Sequence, residues 1–295
     1  MKQFFFTAFS LFLLSCNGQK PTPLPVSSDD NSLLWEISGK EGRKTSYIFG
    51  TFHLMCREDI HFSGSLLTAL KNSDQVYFEM DLDDPANTLG GIFYMNMHGD
   101  TSLSDLYTPE EYARVESFFR DSLKTPLTLL KRMKPMMLEA LIYPKLMPCK
   151  NMSGIEQELM QIAKKENKEI KGFETIQFQA SIFDSIPYSV QAKDLLKNLD
   201  SMQEYKVYFN SMLSIYKSQQ LTKIANMMND SSFGGAEDTE ILLNSRNRNW
   251  VAQLDDIMTK NSVFTAVGAG HLPGENGVLE LLRKKGYTVR PVLNK

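Results

Sequence analysis

Short apolar runs of strand length open and close the folded part of the chain, and apolar residues at helical spacing fill its middle. Leu33-Leu34-Trp35-Glu36-Ile37 and Ser46-Tyr47-Ile48-Phe49-Gly50 read as two strands, with Gly39 to Lys44 between them as a hairpin turn. Residues 63–72 have the period of a short amphipathic helix. Gln75-Val76-Tyr77-Phe78-Glu79-Met80 reads as a third strand, closed by an acidic loop over 81–85 that suits a solvated turn. From 108 to 147 Met and Leu recur at helical spacing, and Thr108-Pro109-Glu110-Glu111 is a helix start signal. Ser153-Gly154-Ile155-Glu156 has the form of a capping box opening a helix to Asn167. A strand over 169–174, helical patterns over 175–229, a loop at 231–235 and a helix over 237–258 follow. The chain closes with a strand at 262–267, a helix at 275–285 and a strand at 287–292. This order predicts an α/β fold: a central mixed sheet built from both chain ends, with a large helical segment inserted over about residues 100–235.

The first 32 residues fall outside that pattern. Lys2 and the apolar run from Phe4 to Leu14 fit an export signal and are too short to span a bilayer. Leu13-Leu14-Ser15-Cys16 resembles a bacterial lipobox, in which the cysteine carries lipid after cleavage. Residues 1–15 therefore read as a lipoprotein signal peptide, 16–32 as a lipid anchor on a flexible proline-containing tether, and 33–295 as a single domain. The expectation is an exported, membrane-anchored bacterial lipoprotein, held to the bilayer through Cys16 rather than spanning it.

Composition narrows the partners. Hydrophobic residues make up 42% and charged residues 23%, which excludes a disordered chain and a polytopic membrane protein. The formal charge of −3, with no basic stripe, speaks against nucleic-acid binding. Composition does not say which peptide or small molecule the protein takes as substrate. Once Cys16 is set aside, Cys56 and Cys149 remain, and in an exported protein they either form a disulfide or stay as two thiols. Cys56 as a nucleophile lacks any evident supporting base other than the nearby His53.

The candidate chemistry rests on two histidines. Gly50-Thr51-Phe52-His53 and Gly268-Ala269-Gly270-His271 each follow an apolar strand, so each G-x-x-H motif delivers an imidazole just past a strand's carboxyl end. Ligands of open α/β sheets bind at those ends. Glu79 ends the third strand and Glu174 ends the strand over 169–174. Two imidazoles and a carboxylate suit a divalent transition metal, with His53 and His271 as ligands and Glu79 as a ligand or the general base. Without a metal the same groups serve as a base and its orienting partner. Arg246 is a candidate for stabilising an oxyanion or a substrate carboxylate, with a structural ion pair as the alternative. Trp250, four residues on, suits core packing on the same helix face. Glu174 reads as a group that orients a histidine, or as a strand-end salt bridge. His61 and His98 lack the strand-end setting and read as surface residues, and the Met stripe (Met133, Met136, Met137, Met227, Met228) reads as core filler.

These motifs, taken in order with Leu34-Trp35-Glu36-Ile37, Lys171-Gly172-Phe173-Glu174-Thr175, Arg246-Asn247-Arg248-Asn249-Trp250 and His271-Leu272-Pro273-Gly274, resemble the TraB/PrgY/GumN family, which includes the Tiki metalloproteases. The family fold is similar to that of erythromycin esterases and of a haem-binding lipoprotein group. The resemblance implies a central sheet with both G-x-x-H motifs and Glu79 in one cleft, and metal-dependent peptide hydrolysis with manganese or cobalt, zinc being next. It also carries Glu174, Arg246 and Asn247 as matching positions without fixed roles. The alternatives it leaves open are a metal-independent esterase-like hydrolase and a non-catalytic lipoprotein that binds haem or metal.

Overall fold

The computed structural model describes residues 31–295, except 42, 82, 85–90, 92 and 229–238. The expected signal peptide, the Cys16 anchor, most of the tether and the loop at 231–235 lie outside the described residues. The rest is mixed α/β, with strands from both chain ends meeting in one six-stranded sheet.

The sheet consists of β1 (Leu34–Ser38), β2 (Ser46–Thr51), β4 (Gln75–Met80), β6 (Glu169–Glu174), β7 (Val263–Gly268) and β8 (Thr288–Pro291). A separate two-residue ladder joins β3 (Met55–Cys56) to β5 (Met152–Ser153). The strand order is β6-β4-β7-β2-β1-β8. β6, β4, β7 and β2 run parallel, while β1 is antiparallel to both β2 and β8. Parallel strands are covered on both faces and so read as unbroken apolar runs, as in β2, which is buried throughout, and in Val263–Val267 of β7. The β1–β2 hairpin turns at Gly39 (φ +93°), where a Cβ would also strike Thr288.

The middle of the chain is helical but not wholly so, because β6 comes from it and forms one sheet edge. Helices Pro109–Asp121, Pro135–Ala140, Tyr188–Asp200 and Met202–Lys217 pack on one another. The first starts as expected, with Thr108 and Glu111 capping reciprocally and Pro109 in the first turn. The segment around Ser153 does not: Ser153 belongs to β5, the helix is Ile155–Lys165, and its N-cap is Gly154 without a side-chain cap. The Ser153 hydroxyl bonds Glu158 instead, at 2.6 Å. That leaves the Glu156 carboxylate free for another use.

The helical layer meets the sheet at its carboxyl edge. Tyr216 donates its hydroxyl proton to the Gly50 carbonyl at 2.9 Å, and Phe52 packs against the rings of Tyr216 and Phe209. Met228 fills the space that a side chain on Gly270 would occupy. One continuous apolar core links sheet and helices. Cys56 and Cys149 form a disulfide (Cα–Cα 5.8 Å), so Cys56 is not a free nucleophile.

Candidate functional site

The four parallel strands end side by side and carry the candidate groups in a row. In the β2–β7 ladder Gly50 lies opposite Val267 and Thr51 opposite Gly268, so the two G-x-x-H motifs leave adjacent strands one residue out of register. The second motif's turn rests on the first motif's glycine. A Cβ on Gly50 would lie 2.8 Å from Leu272 Cδ1 and 3.1 Å from Ala269 Cα. On the other side of β7, Phe78 of β4 pairs with Ala266, and the next residue, Glu79, accepts the Gly268 amide proton at 2.8 Å. Beyond β4, Glu174 of β6 lies opposite Met80.

Arg246, on helix Ser245–Ile257, gathers these side chains. Its Nη2 donates to Glu79 Oε2 (2.7 Å) and Glu174 Oε2 (2.9 Å), and its Nε donates to Glu174 Oε1 at 3.1 Å. Its Nη1 donates to the Leu242 carbonyl (2.9 Å) and to His271 Nε2 (3.3 Å). Gln179 bridges the same two carboxylates at 3.1 and 3.0 Å, and Trp250 Nε1 donates to Glu174 Oε1 at 2.8 Å. The Arg246 guanidinium also lies over the Trp250 ring at 4.8 Å, the shared helix face that the i, i+4 spacing predicts.

His271 is buried against Trp250, with ring centroids 4.4 Å apart. Asn247 Nδ2 donates to the Asn276 carbonyl, which turns its Oδ1 toward His271 Nδ1 at 2.6 Å. Nδ1 therefore carries the proton, and Nε2 is the lone-pair nitrogen. Nε2 stands 3.8 Å from Glu79 Oε1. Burial pushes His271 down to about 3, against the pull of the Glu79 charge. Burial pushes Glu79 up, but the charges around it (His271, Arg246, then His53) and the Gly268 amide bring it to about 2. Because His271 is neutral above about 3, Arg246, with a smaller share from His53, keeps Glu79 ionised at neutral pH.

His53 differs in kind. Its side chain is 74% exposed, and its Nδ1 lies 2.7 Å from Glu156 Oε1. The Thr51 hydroxyl donates to that same oxygen at 2.6 Å. The Glu156 charge raises His53 to about 9, with Glu79 adding to the rise, so at neutral pH it is an imidazolium.

The structure thus brings Glu79, Glu174, Arg246, Asn247 and His271 into direct contact, and sets His53 on the neighbouring strand end facing Glu156. Asn247, not Glu174, orients a histidine. All five N–H groups of Arg246 are engaged by groups of the protein itself, two carboxylates among them. Two residues of the site carry no functional signal in the sequence: Gln179 belongs to no motif, and the pattern around Glu156 is that of a capping box. His61 is exposed; His98 is exposed and pairs with Asp184 at 2.9 Å.

Among the described residues no three His, Cys, Asp or Glu side chains converge closely enough to hold a metal ion as they stand. The donor chemistry nevertheless suits one. His53 and His271 each have Nδ1 tied to an oxygen, of Glu156 and Asn247 respectively, which turns Nε2 toward the site, although His271 Nε2 accepts from Arg246 and His53 is protonated as the site stands. Glu79 and His271 are also deprotonated at neutral pH, as metal ligands must be.

Fold and site together define a mixed α/β protein with a buried carboxylate–guanidinium–imidazole cluster at the carboxyl edge of its parallel strands. The chain belongs to the TraB/PrgY/gumN family, whose model matches residues 33–291. Among curated proteins it is similar to Metalloprotease TIKI1 of Danio rerio, 22% identical over 317 residues, which cover 89% of this chain and 63% of that protein. Metalloprotease TIKI2 of Danio rerio is 22% identical over 328 residues, covering 90% and 62%. The chain thus spans a little under two thirds of the length of these relatives. No solved structure matches it.

Proposed function

We propose that this protein is a hydrolase, acting on a peptide bond in the first place, at the strand ends where His53, Glu79 and His271 stand. What carries the reading is the pair of G-x-x-H motifs on adjacent parallel strands, with Glu79 bonded to the glycine of one of them. The names of the Danio rerio relatives point the same way. The Cys16 lipobox adds a location, a lipid-anchored protein of the cell envelope.

Glu79, His271 and, once deprotonated, His53 would hold a divalent metal, manganese or cobalt before zinc. When bound, such an ion lowers the pKa of a water molecule and polarises a carbonyl. Glu79 at about 2 and His271 at about 3 are too weakly basic to be efficient general bases at neutral pH, which favours ligand roles for them. Where His53 is not a ligand it is the protonated group of the site, and its exposed Nε2–H is then placed to pass a proton to a leaving nitrogen. Arg246 and Gln179 keep Glu79 ionised and fixed. A metal-independent reading, in which His53 itself activates water once deprotonated, draws on the His53–Glu156 pair.

The test pairs metal content by mass spectrometry with turnover of a quenched fluorescent peptide library in added manganese, cobalt or zinc. The expected result is about one equivalent of metal, lost in Glu79→Ala and His271→Ala, and turnover down at least ~100-fold in folded His53→Ala and His271→Ala. Turnover retained in both histidine variants would sink the reading. Full turnover after chelation would move the weight to the metal-independent form.

A further inference from the structure

We infer that Glu156 is the positioning residue for His53, and that the stretch 149–158 forms a clamp that sets the direction of the His53 ring. The geometry is a run of antiparallel contacts. Thr51 and His53 share one oxygen of Glu156, and the Ile155 amide donates to the Phe52 carbonyl at 3.2 Å. Met55 pairs with Ser153 and Cys56 with Met152 across β3–β5. The Arg57 amide donates to the Asn151 carbonyl at 3.0 Å, and the Cys56–Cys149 disulfide closes the far end. The two stretches are thus fastened at successive positions from residue 51 to residue 57.

Gly154 makes the closest approach. A Cβ there would stand 2.7 Å from the His53 carbonyl oxygen, so any side chain would push the two segments apart. Glu156 lies in the first turn of helix Ile155–Lys165, where the helix dipole favours a carboxylate. An exposed imidazole is otherwise free to turn about its side-chain bonds. With Nδ1 held 2.7 Å from a carboxylate whose oxygen is itself aimed by Thr51, only Nε2 is left to face outward. The catalytic consequence rests on the hydrolase reading above. The geometric core does not.

The experiment uses the full-length protein labelled with ¹⁵N-histidine, and variants Glu156→Ala, Glu156→Gln and Thr51→Val, each checked for folding by circular dichroism. The first readout is the ¹⁵N–¹H correlation of His53 Nδ1–H. Its proton should be visible and far downfield in the wild type because the bond to Glu156 protects it from exchange. The signal should vanish in Glu156→Ala, survive in Glu156→Gln, whose amide oxygen still accepts, and weaken in Thr51→Val. The second readout is peptide turnover. Here kcat should fall about 10- to 100-fold in Glu156→Ala, with KM within about twofold and partial recovery in Glu156→Gln. A signal that persists in Glu156→Ala, or is missing from the wild type, overturns the proposal. So does turnover in which the Ala and Gln variants are equally impaired. If Glu156→Ala does not fold, Glu156→Gln and Thr51→Val still decide the matter. Signals that behave as expected without turnover in any protein overturn the hydrolase reading and leave the clamp standing.

Discussion

At Arg246 every donor has a fixed acceptor: two carboxylates, a backbone carbonyl and a ring nitrogen. The planar fork of guanidinium donors suits such a junction, and a lysine would supply only three donors from one point. Removing the cation leaves Glu79 and Glu174 facing each other, largely buried and bridged only by Gln179. Arg246→Ala should therefore destabilise the fold by about 3–5 kcal/mol, the usual cost of breaking a buried pair. Urea unfolding at pH 7 measures it. A loss below about 1 kcal/mol would mean that water reaches the cluster and replaces the guanidinium. Sequence alone does not separate an oxyanion role for Arg246 from an ion pair, because charge type and spacing are the same for both. The positions of its partners supply the ion pairs.

At the scale of elements, one pattern had two outcomes. Thr108-Pro109-Glu110-Glu111 and Ser153-Gly154-Ile155-Glu156 both satisfy the cap rule, yet only the first caps its helix. In the second, the β3–β5 ladder draws Ser153 into a strand and Glu156 turns to His53. Local pattern cannot foresee this, because the competing partner lies 103 residues away. The strand-end histidines were legible for the opposite reason, since a strand, a glycine and a histidine are neighbours along the chain. The glycines also join the two motifs. Gly50→Ala would drive a methyl group against Leu272 and Ala269, in the turn that carries His271. We expect a loss of about 1–3 kcal/mol from overpacking, read from thermal unfolding, with a fall in turnover larger than that of an equally destabilising core variant elsewhere. Wild-type stability in Gly50→Ala would show that the turn shifts freely and that the motifs are not coupled through this contact.

For the whole molecule, the site's charges set a pH profile of stability. His271 stays neutral in the fold down to about 3, while in the unfolded chain it takes a proton near 6.5. Stability is therefore lost as pH falls from 6.5 toward 3. Glu79, held at about 2 against an ordinary 4.5, adds to that loss as pH falls below 4.5. His53 acts with the opposite sign: its contribution is complete below 6.5 and disappears as pH rises through about 9. That arm is the weaker one, since an exposed pair is screened by solvent. Urea midpoints of the chelator-treated protein should peak near pH 6 to 7 and fall on both sides, more steeply on the acid side. Glu156→Gln should flatten the alkaline arm alone. A profile that keeps rising from pH 7 to 9 would contradict the His53–Glu156 pairing.

The sequence by itself determined the main strands and helices and the class of fold, but not the β3–β5 ladder. Apolar runs of strand length, period-3.6 patterns, glycine punctuation and the Thr108 cap depend on neighbours along the chain. The two G-x-x-H motifs and Glu79 were visible for the same reason. The tertiary structure alone decided the strand order that sets β7 between β2 and β4, the engagement of every Arg246 donor, and the pairing of Cys56 with Cys149. It alone assigned Asn247 to His271 and Glu156 to His53. Those outcomes depend on which groups distant segments place within about 3 Å of one another, where burial and hydrogen bonding choose the partner.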